Sequence, residues 1–274
     1  MIRHTVRSLL LLLSPLLVGC GAARVESLSS TEQPAAKVVV LAAASLTEAF
    51  TDIGRAFGEE HAGVEVILSF GSSSQLSGQI VLGAPADVFA SASPVQMQTV
   101  SEAGRVAPGS VRLFASNRLV VVCSRSSRVP IQTLWDLAAP GVHLVLAAPD
   151  VPVGQYAQEF LRKAADDPLY GEVFASQVAA NVVSYEATVR AVLTKVSLGE
   201  ADGGIVFVSD LRAVDESTIT SIDIPDPLNV VAAYVIAPLS DADQPEGARA
   251  FVEFVLSPSG QSILAQYGFM PAGE

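Results

Sequence analysis

Residues 37–50 read KVVVLAAASLTEAF. Val38, Val39, Val40 and Leu41 form an unbroken apolar run, the pattern of a parallel strand covered on both faces. Three alanines follow, then Ser45. Ser45 and Glu48 have the S-x-x-E spacing of a capping box, and Ala49, Phe50 and Ile53 supply an apolar helix face. The stretch predicts a buried strand that runs straight into a helix. Such a junction puts a hydroxyl and several unpaired backbone N–H groups at the positive end of the helix, which suits an anion.

Residues 64–70 repeat the design. A strand there runs into Gly71-Ser72-Ser73-Ser74 and a helix from about Gln75 to Leu82. Residues 86–91 predict a third strand with Asp87 at its start. Ser93-Pro94 caps the next helix, with Pro at the favoured first position, and Gly104 ends it. Further strands are predicted at 117–124, 143–148, 204–208 and 228–237. Helices are predicted at 133–137, from Gly154 to about Ala165, up to about Ala180, and over 186–198. Two more close the chain, the last starting at Ser257-Pro258. Alternating strands and helices mean an α/β fold with parallel sheets. The pattern runs to about Ala115, restarts at Asn117 and ends with an extra strand and helices. That order predicts two lobes with the C-terminal segment returning to the first, and a cleft at the C-terminal ends of the strands.

The chain has 274 residues and a net charge of −12, with 50% hydrophobic and 16% charged residues. No basic patch invites nucleic acid. The first 19 residues form a targeting segment: Arg3 and Arg7 precede an apolar run over 9–18, broken by Pro15 and too short to span a bilayer. It ends in Leu17-Val18-Gly19-Cys20, which resembles a bacterial lipobox and implies cleavage before Cys20 and acylation of its thiol. Removing two arginines and no acid takes the charge from −12 to −14. Residues 21–36 are small and polar and read as a tether between membrane and domain. Cys123, alone inside LVVVCS, reads as buried and inert.

Enzyme chemistry finds little support. Beyond the leader the only histidines are His61 and His143, and a serine nucleophile needs a positioned base. There is no G-x-S-x-G elbow, no phosphate-binding loop and no G-x-G-x-x-G fingerprint. No His/Cys cluster marks a metal site. Asp166-Asp167 precede Pro168 in a polar turn.

Six stretches, in order, resemble the substrate-binding protein of bacterial molybdate ABC transporters: AAASLTEAF (42–50), FGSSSQL (70–76), GAPADVFASA (83–92), PDVPVGQYAQ (149–158), GIVFVSD (204–210) and GQSILAQYGF (260–269). The resemblance covers roughly residues 37–270. It implies a two-lobed periplasmic-binding-protein fold of type II, with each lobe a mostly parallel sheet flanked by helices. It implies lobe I at 37–115 plus 231–274, lobe II at 116–230, and closure over one molybdate or tungstate in the cleft. Matched position by position, it implies four ligands: the hydroxyls of Ser45 and Ser73 and the backbone N–H groups of Val153 and Val189. The family's fifth ligand is a tyrosine hydroxyl at the position of Phe207. That contact is lost here, supplied by water, or replaced by a neighbour such as Ser209.

The resemblance further implies no catalysis and no cofactor beyond the molybdate cargo. It implies a monomer that works with a membrane permease and an ATPase, held extracytoplasmically by lipid on Cys20. A binder of sulfate or another tetrahedral oxyanion is the nearest alternative, because of Phe207. A surface lipoprotein serving protein interaction is the alternative of another class.

Overall fold

The computed structural model describes residues 36–127 and 129–272. The targeting segment, Cys20 and the tether as far as residue 35 lie outside the described residues. The chain opens with β1 (Ala36–Ala43), α1 (Thr47–Glu60), β2 (Val64–Gly71), α2 (Ser73–Val81), β3 (Val88–Ser91) and α3 (Pro94–Glu102). It continues with β4 (Arg112–Ser124), β5 (Leu144–Ala147), α4 (Pro152–Asp166), α5 (Gly171–Ala180) and β6 (Val182–Glu186). Next come α6 (Val189–Ser197), β7 (Gly203–Phe207) and β8 (Ile219–Asp223). It closes with β9 (Val231–Pro238), α7 (Pro245–Leu256) and α8 (Pro258–Gln266).

The strands lie in the order β2-β1-β3-β9-β4-β7-β5-β6, with β8 also paired to β4. Two sets are parallel, β2-β1-β3 and β6-β5-β7. The expectation of mostly parallel sheets needs correction, because β3-β9, β9-β4, β4-β7 and β4-β8 are all antiparallel. The reason is topological. β4 pairs with β9 from Arg112 to Arg118 and with β7 and β8 from Leu119 onward. It therefore joins the two halves of the sheet, and both β4 and β9 run against the parallel sets they border.

β1 is buried along its C-terminal half, as its unbroken apolar run requires. α1 buries Ala49, Phe50, Ile53 and Phe57 along one face. Phe57 and Phe50 meet Phe251 of α7 edge-on, with ring centroids 5.4 and 6.0 Å apart. Asp87, buried just before β3, accepts from the Val39 N–H at 2.7 Å and the Gln244 N–H at 2.8 Å. One carboxylate thus fixes β3 against β1 and sets the entry of the chain into α7. Cys123 is buried, and burial pushes its thiol up to about 12.

Other sequence expectations also shift. Glu186 lies in β6, not in the helix that follows, which starts at Val189. β6 and β8 were not expected. β6 is a short edge strand whose outward residues include Val183 and Tyr185, so it lacks the inward-apolar alternation that marks a strand. β4 begins at Arg112, earlier than the apolar run alone indicates. The capping box of Ser45 and Glu48 does not form. A 3-10 turn at Ala44–Leu46 intervenes, and α1 starts at Thr47 without a side-chain cap. Ser93 occupies the cap position of α3 but makes no side-chain cap bond, whereas Ser257 accepts from Gly260 N–H at 3.2 Å.

The N-terminus of α4 sits directly on the end of β5. A Cβ at Gly154 would overlap the Ala148 carbonyl oxygen and lie 2.6 Å from that of Ala147. Both neighbours are backbone and neither can swing aside. Gly154→Ala is therefore expected to lower unfolding stability by about 1–3 kcal/mol, the usual range for overpacking. Urea denaturation measures this; wild-type stability in the variant would mean that the helix start has room to move.

Candidate oxyanion-binding site

Ser45, Ser73, Val153, Val189 and Phe207 line a single cavity. Its volume is about 20 Å³. That is room for one small group. Ala43, Ala44, Gly71, Ser72, Ala92, Val151 and Pro152 complete the wall, and none of these lining side chains carries a charge.

Four helix starts meet at this wall. The first N–H groups of a helix have no partner within it. Ser73 is the first residue of α2, and Ser72 before it spends its hydroxyl on Ser74 Oγ, 2.7 Å away. Pro152 opens α4 and has no N–H, so Val153 carries the first donor of that helix. Val189 opens α6; the Thr188 hydroxyl caps only the N–H of Ala191, at 3.2 Å. The 3-10 turn that leads into α1 supplies the fourth start.

Both serines are anchored by hydrogen bonds. Ser73 Oγ accepts from the Ala92 N–H at 3.0 Å. Ser45 Oγ lies 2.8 Å from the hydroxyl of Tyr234, on β9. Contacts also cross between the halves of the sheet. Arg190, next to Val189, donates from Nε to the Ala44 carbonyl at 3.2 Å and pairs with Glu48. Glu48 is thus engaged in an ion pair in place of the expected capping box. From α4, the Tyr156 hydroxyl donates to the Ala92 carbonyl at 3.2 Å.

Phe207 is buried, and its ring meets Tyr156 and Tyr234 at centroid distances of 6.2 and 5.8 Å. The suggested stand-in, Ser209, is not part of the wall. Its Oγ accepts from Asn117 Nδ2 at 2.8 Å. His61 stacks on Phe57 and His143 is exposed, and neither lines the cavity. Sequence reasoning missed Tyr234, Tyr156, Arg190 and Asp210. Tyr234 did leave a signal: a lone hydroxyl inside the apolar strand VAAYVIAP must find a buried partner.

Asp210 is fully buried. Oδ2 accepts from the Phe207 N–H at 2.9 Å, while Oδ1 has no hydrogen-bond partner among the described residues and lies 3.8 Å from Arg190 Nε. Burial pushes its carboxyl up to about 7, outweighing the downward pull of Arg190 and of the Phe207 N–H.

The family pattern of bacterial extracellular solute-binding proteins matches residues 38–270. The chain belongs to that family. The molybdate-binding protein ModA of Mycobacterium tuberculosis H37Rv is 40% identical to it over 254 residues, 92% of each chain. ModA of Escherichia coli K12 is 32% identical over 240 residues, 85% of this chain and 88% of that one. The periplasmic molybdate-binding protein of Azotobacter vinelandii has a TM-score of 0.73 at 21% identity, covering 85% of this chain and 98% of that one. The sulfate-binding protein SubI of M. tuberculosis H37Rv has a TM-score of 0.76 at 19% identity, covering 87% and 88%. These structural likenesses establish the two-lobed periplasmic-binding-protein fold of type II.

The raised pKa of Asp210 has a definite sign. From about pH 4, the range of an unfolded aspartate, up to about 7, the folded chain holds a proton that the unfolded chain has lost. Its contribution to stability is full below that window and is lost as pH rises through it. Asp210→Asn stays neutral throughout. The melting temperature of wild type relative to this variant is expected to be higher at pH 5 than at pH 8. A difference that is constant or grows with pH would show that Asp210 is ionised across the range.

Proposed function

We propose that the cavity captures one molybdate or tungstate ion outside the cytoplasm, for import by the permease and ATPase of an ABC transporter. The observation that carries this reading is the wall itself: four helix starts and two anchored serine hydroxyls around a space for one small group, with no charged side chain lining it. The donors are the hydroxyls of Ser45 and Ser73 and the N–H groups of Val153 and Val189.

A site made of donors suits an anion whose oxygens all accept, and molybdate is fully deprotonated near neutral pH. Hydrogen phosphate carries a proton that needs an acceptor, which no lining side chain except a hydroxyl offers. Sulfate matches in protonation and differs only in size. The 40% identity to proteins named for molybdate favours molybdate. In this reading the metal is cargo and the chain holds no cofactor. It is a binder and not an enzyme, because neither histidine of the described residues reaches the serines at the cavity. Its lobes are 37–115 with 231–274, and 116–230. It acts as a monomer, tethered through residues 21–36 to lipid on Cys20. No helix among the described residues is long and apolar enough to cross a membrane.

Calorimetric titration of residues 21–274 with molybdate, tungstate, sulfate and phosphate tests the reading. Molybdate and tungstate are expected to bind, and at about 100 times the dissociation constant to add about 2.7 kcal/mol of stability. Equal binding of sulfate would make the chain a general oxyanion receptor. Silence with all four would leave a surface lipoprotein for protein interaction.

Ser45→Ala and Ser73→Ala each remove a hydrogen bond to a charged group, so each is expected to weaken molybdate binding about tenfold to a hundredfold while the protein stays folded. Unchanged affinity in both would remove the assignment of the donors. Phe207→Tyr adds a hydroxyl at the wall and is expected to tighten molybdate binding. Weaker binding would mean that the new oxygen occupies space the anion needs.

A further inference from the structure

Building on the oxyanion reading, we propose that Tyr234 is a positioning residue that turns the Ser45 hydroxyl proton into the cavity and thereby sets the affinity of the site. Tyr234 does not itself line the cavity. It is wholly buried among the rings of Phe114, Phe207 and Phe269, with centroids 6.2, 5.8 and 5.2 Å away. In such surroundings its hydroxyl must be hydrogen-bonded, and the Ser45 Oγ at 2.8 Å is the partner.

The direction of that bond decides what Ser45 can do. Asn117 Oδ1 accepts from the Arg118 N–H at 2.9 Å, which fixes the amide with its NH2 group toward Ser209 Oγ. That amide is thus spent on Ser209, and Ser45 Oγ is the hydrogen-bond partner of the Tyr234 hydroxyl. If Tyr234 only accepted from Ser45, its own proton would be left unpaired among buried rings, so Tyr234 gives its proton to Ser45. The intrinsic chemistry agrees, since a phenol is a stronger acid than an alkyl alcohol and is the better donor of the two. With Ser45 Oγ accepting from Tyr234, the serine proton is left for the anion.

Ser73 is prepared in the same way. Its Oγ accepts from the Ala92 N–H at 3.0 Å, which leaves its proton unused by that bond. The two serines differ in one respect. Ser73 is oriented by backbone, whereas Ser45 is oriented by a side chain that substitution can change.

Tyr234→Phe removes only the oxygen and keeps the ring. Molybdate is titrated calorimetrically into residues 21–274 as wild type, Tyr234→Phe, Ser45→Ala and the double variant, with the ligand-free melting temperature of each recorded. Tyr234→Phe is expected to weaken molybdate binding about tenfold with little change in the ligand-free melting temperature. In the Ser45→Ala background the same change is expected to cost less than twofold, because its effect passes through Ser45. Wild-type affinity in Tyr234→Phe, or a loss that adds undiminished to that of Ser45→Ala, overturns the proposal and leaves the oxyanion reading standing. No molybdate binding by wild type overturns both. As a check without a variant at 234, the Tyr234 hydroxyl proton in NMR spectra of the wild type is expected to shift when molybdate is added. An unmoved signal in protein that binds molybdate counts against the relay.

Discussion

The structure depends on backbone N–H groups that its own helices do not pair. A buried N–H without an acceptor is costly, and native proteins leave very few. Here α2 and α4 begin without a side-chain cap, and the cap on α6 reaches only its third residue, Ala191. All three starts, and the turn before α1, adjoin the same small cavity. The proposed tetrahedral oxyanion would bring four acceptors to that point at once. The contrast with α8 is instructive: Ser257 bonds its own helix, while Ser73 keeps its hydroxyl proton out of its one assigned bond. Neutral donors suffice because helix-start dipoles act at contact, while the acidic charge of the chain is spread out and screened beyond about 8–10 Å.

The wall residues Ser45, Ser73, Val153 and Val189 come from both halves of the sheet, so the cavity lies where the halves meet. Ser45 and Ser73 follow β1 and β2; Val153 and Val189 follow β5 and β6. Two side chains bridge them next to the wall, Arg190 to Ala44 and Glu48, and Tyr156 to Ala92. Both bridges end on carbonyls of wall residues, Ala44 and Ala92, and so position the segments that carry Ser45 and the partner of Ser73. Arg190 is the cation nearest in sequence to a wall donor, yet its charge is taken up by Glu48, with Asp210 close by. It acts between the halves and leaves the wall neutral.

Local chemistry was legible in the sequence wherever it was also sufficient. The apolar run of β1 and the serine-rich junctions marked strands running into helices at the right places. The Pro at the start of α4 and the Ser-Pro at α8 marked helix starts. What depends on distant partners was not legible. β6 and β8 are strands because β5 and β4 pair with them, and their own residues alternate weakly. Ser45 and Glu48 have the spacing of a capping box, but Tyr234 and Arg190, 189 and 142 positions away, take both side chains. A local preference of about 1 kcal/mol loses to tertiary partners of comparable or greater strength. Of the site, the residues that line the cavity were legible through motifs, while those that hold them were not.

The apolar ring at position 207 fits this division of labour. Phe207 lies edge-on to Tyr156 and Tyr234, and the hydroxyls of both tyrosines are already committed to the wall, one to the Ala92 carbonyl and the other to Ser45. Its backbone N–H is taken by Asp210. Phe207 thus gives the cavity an apolar wall segment, and the polar work around it falls to groups one layer further out. A pocket that serves the proposed oxyanion needs few polar atoms in contact with it, provided that each is held in a single orientation, since a fixed donor has no reorientation to undergo when the ion arrives.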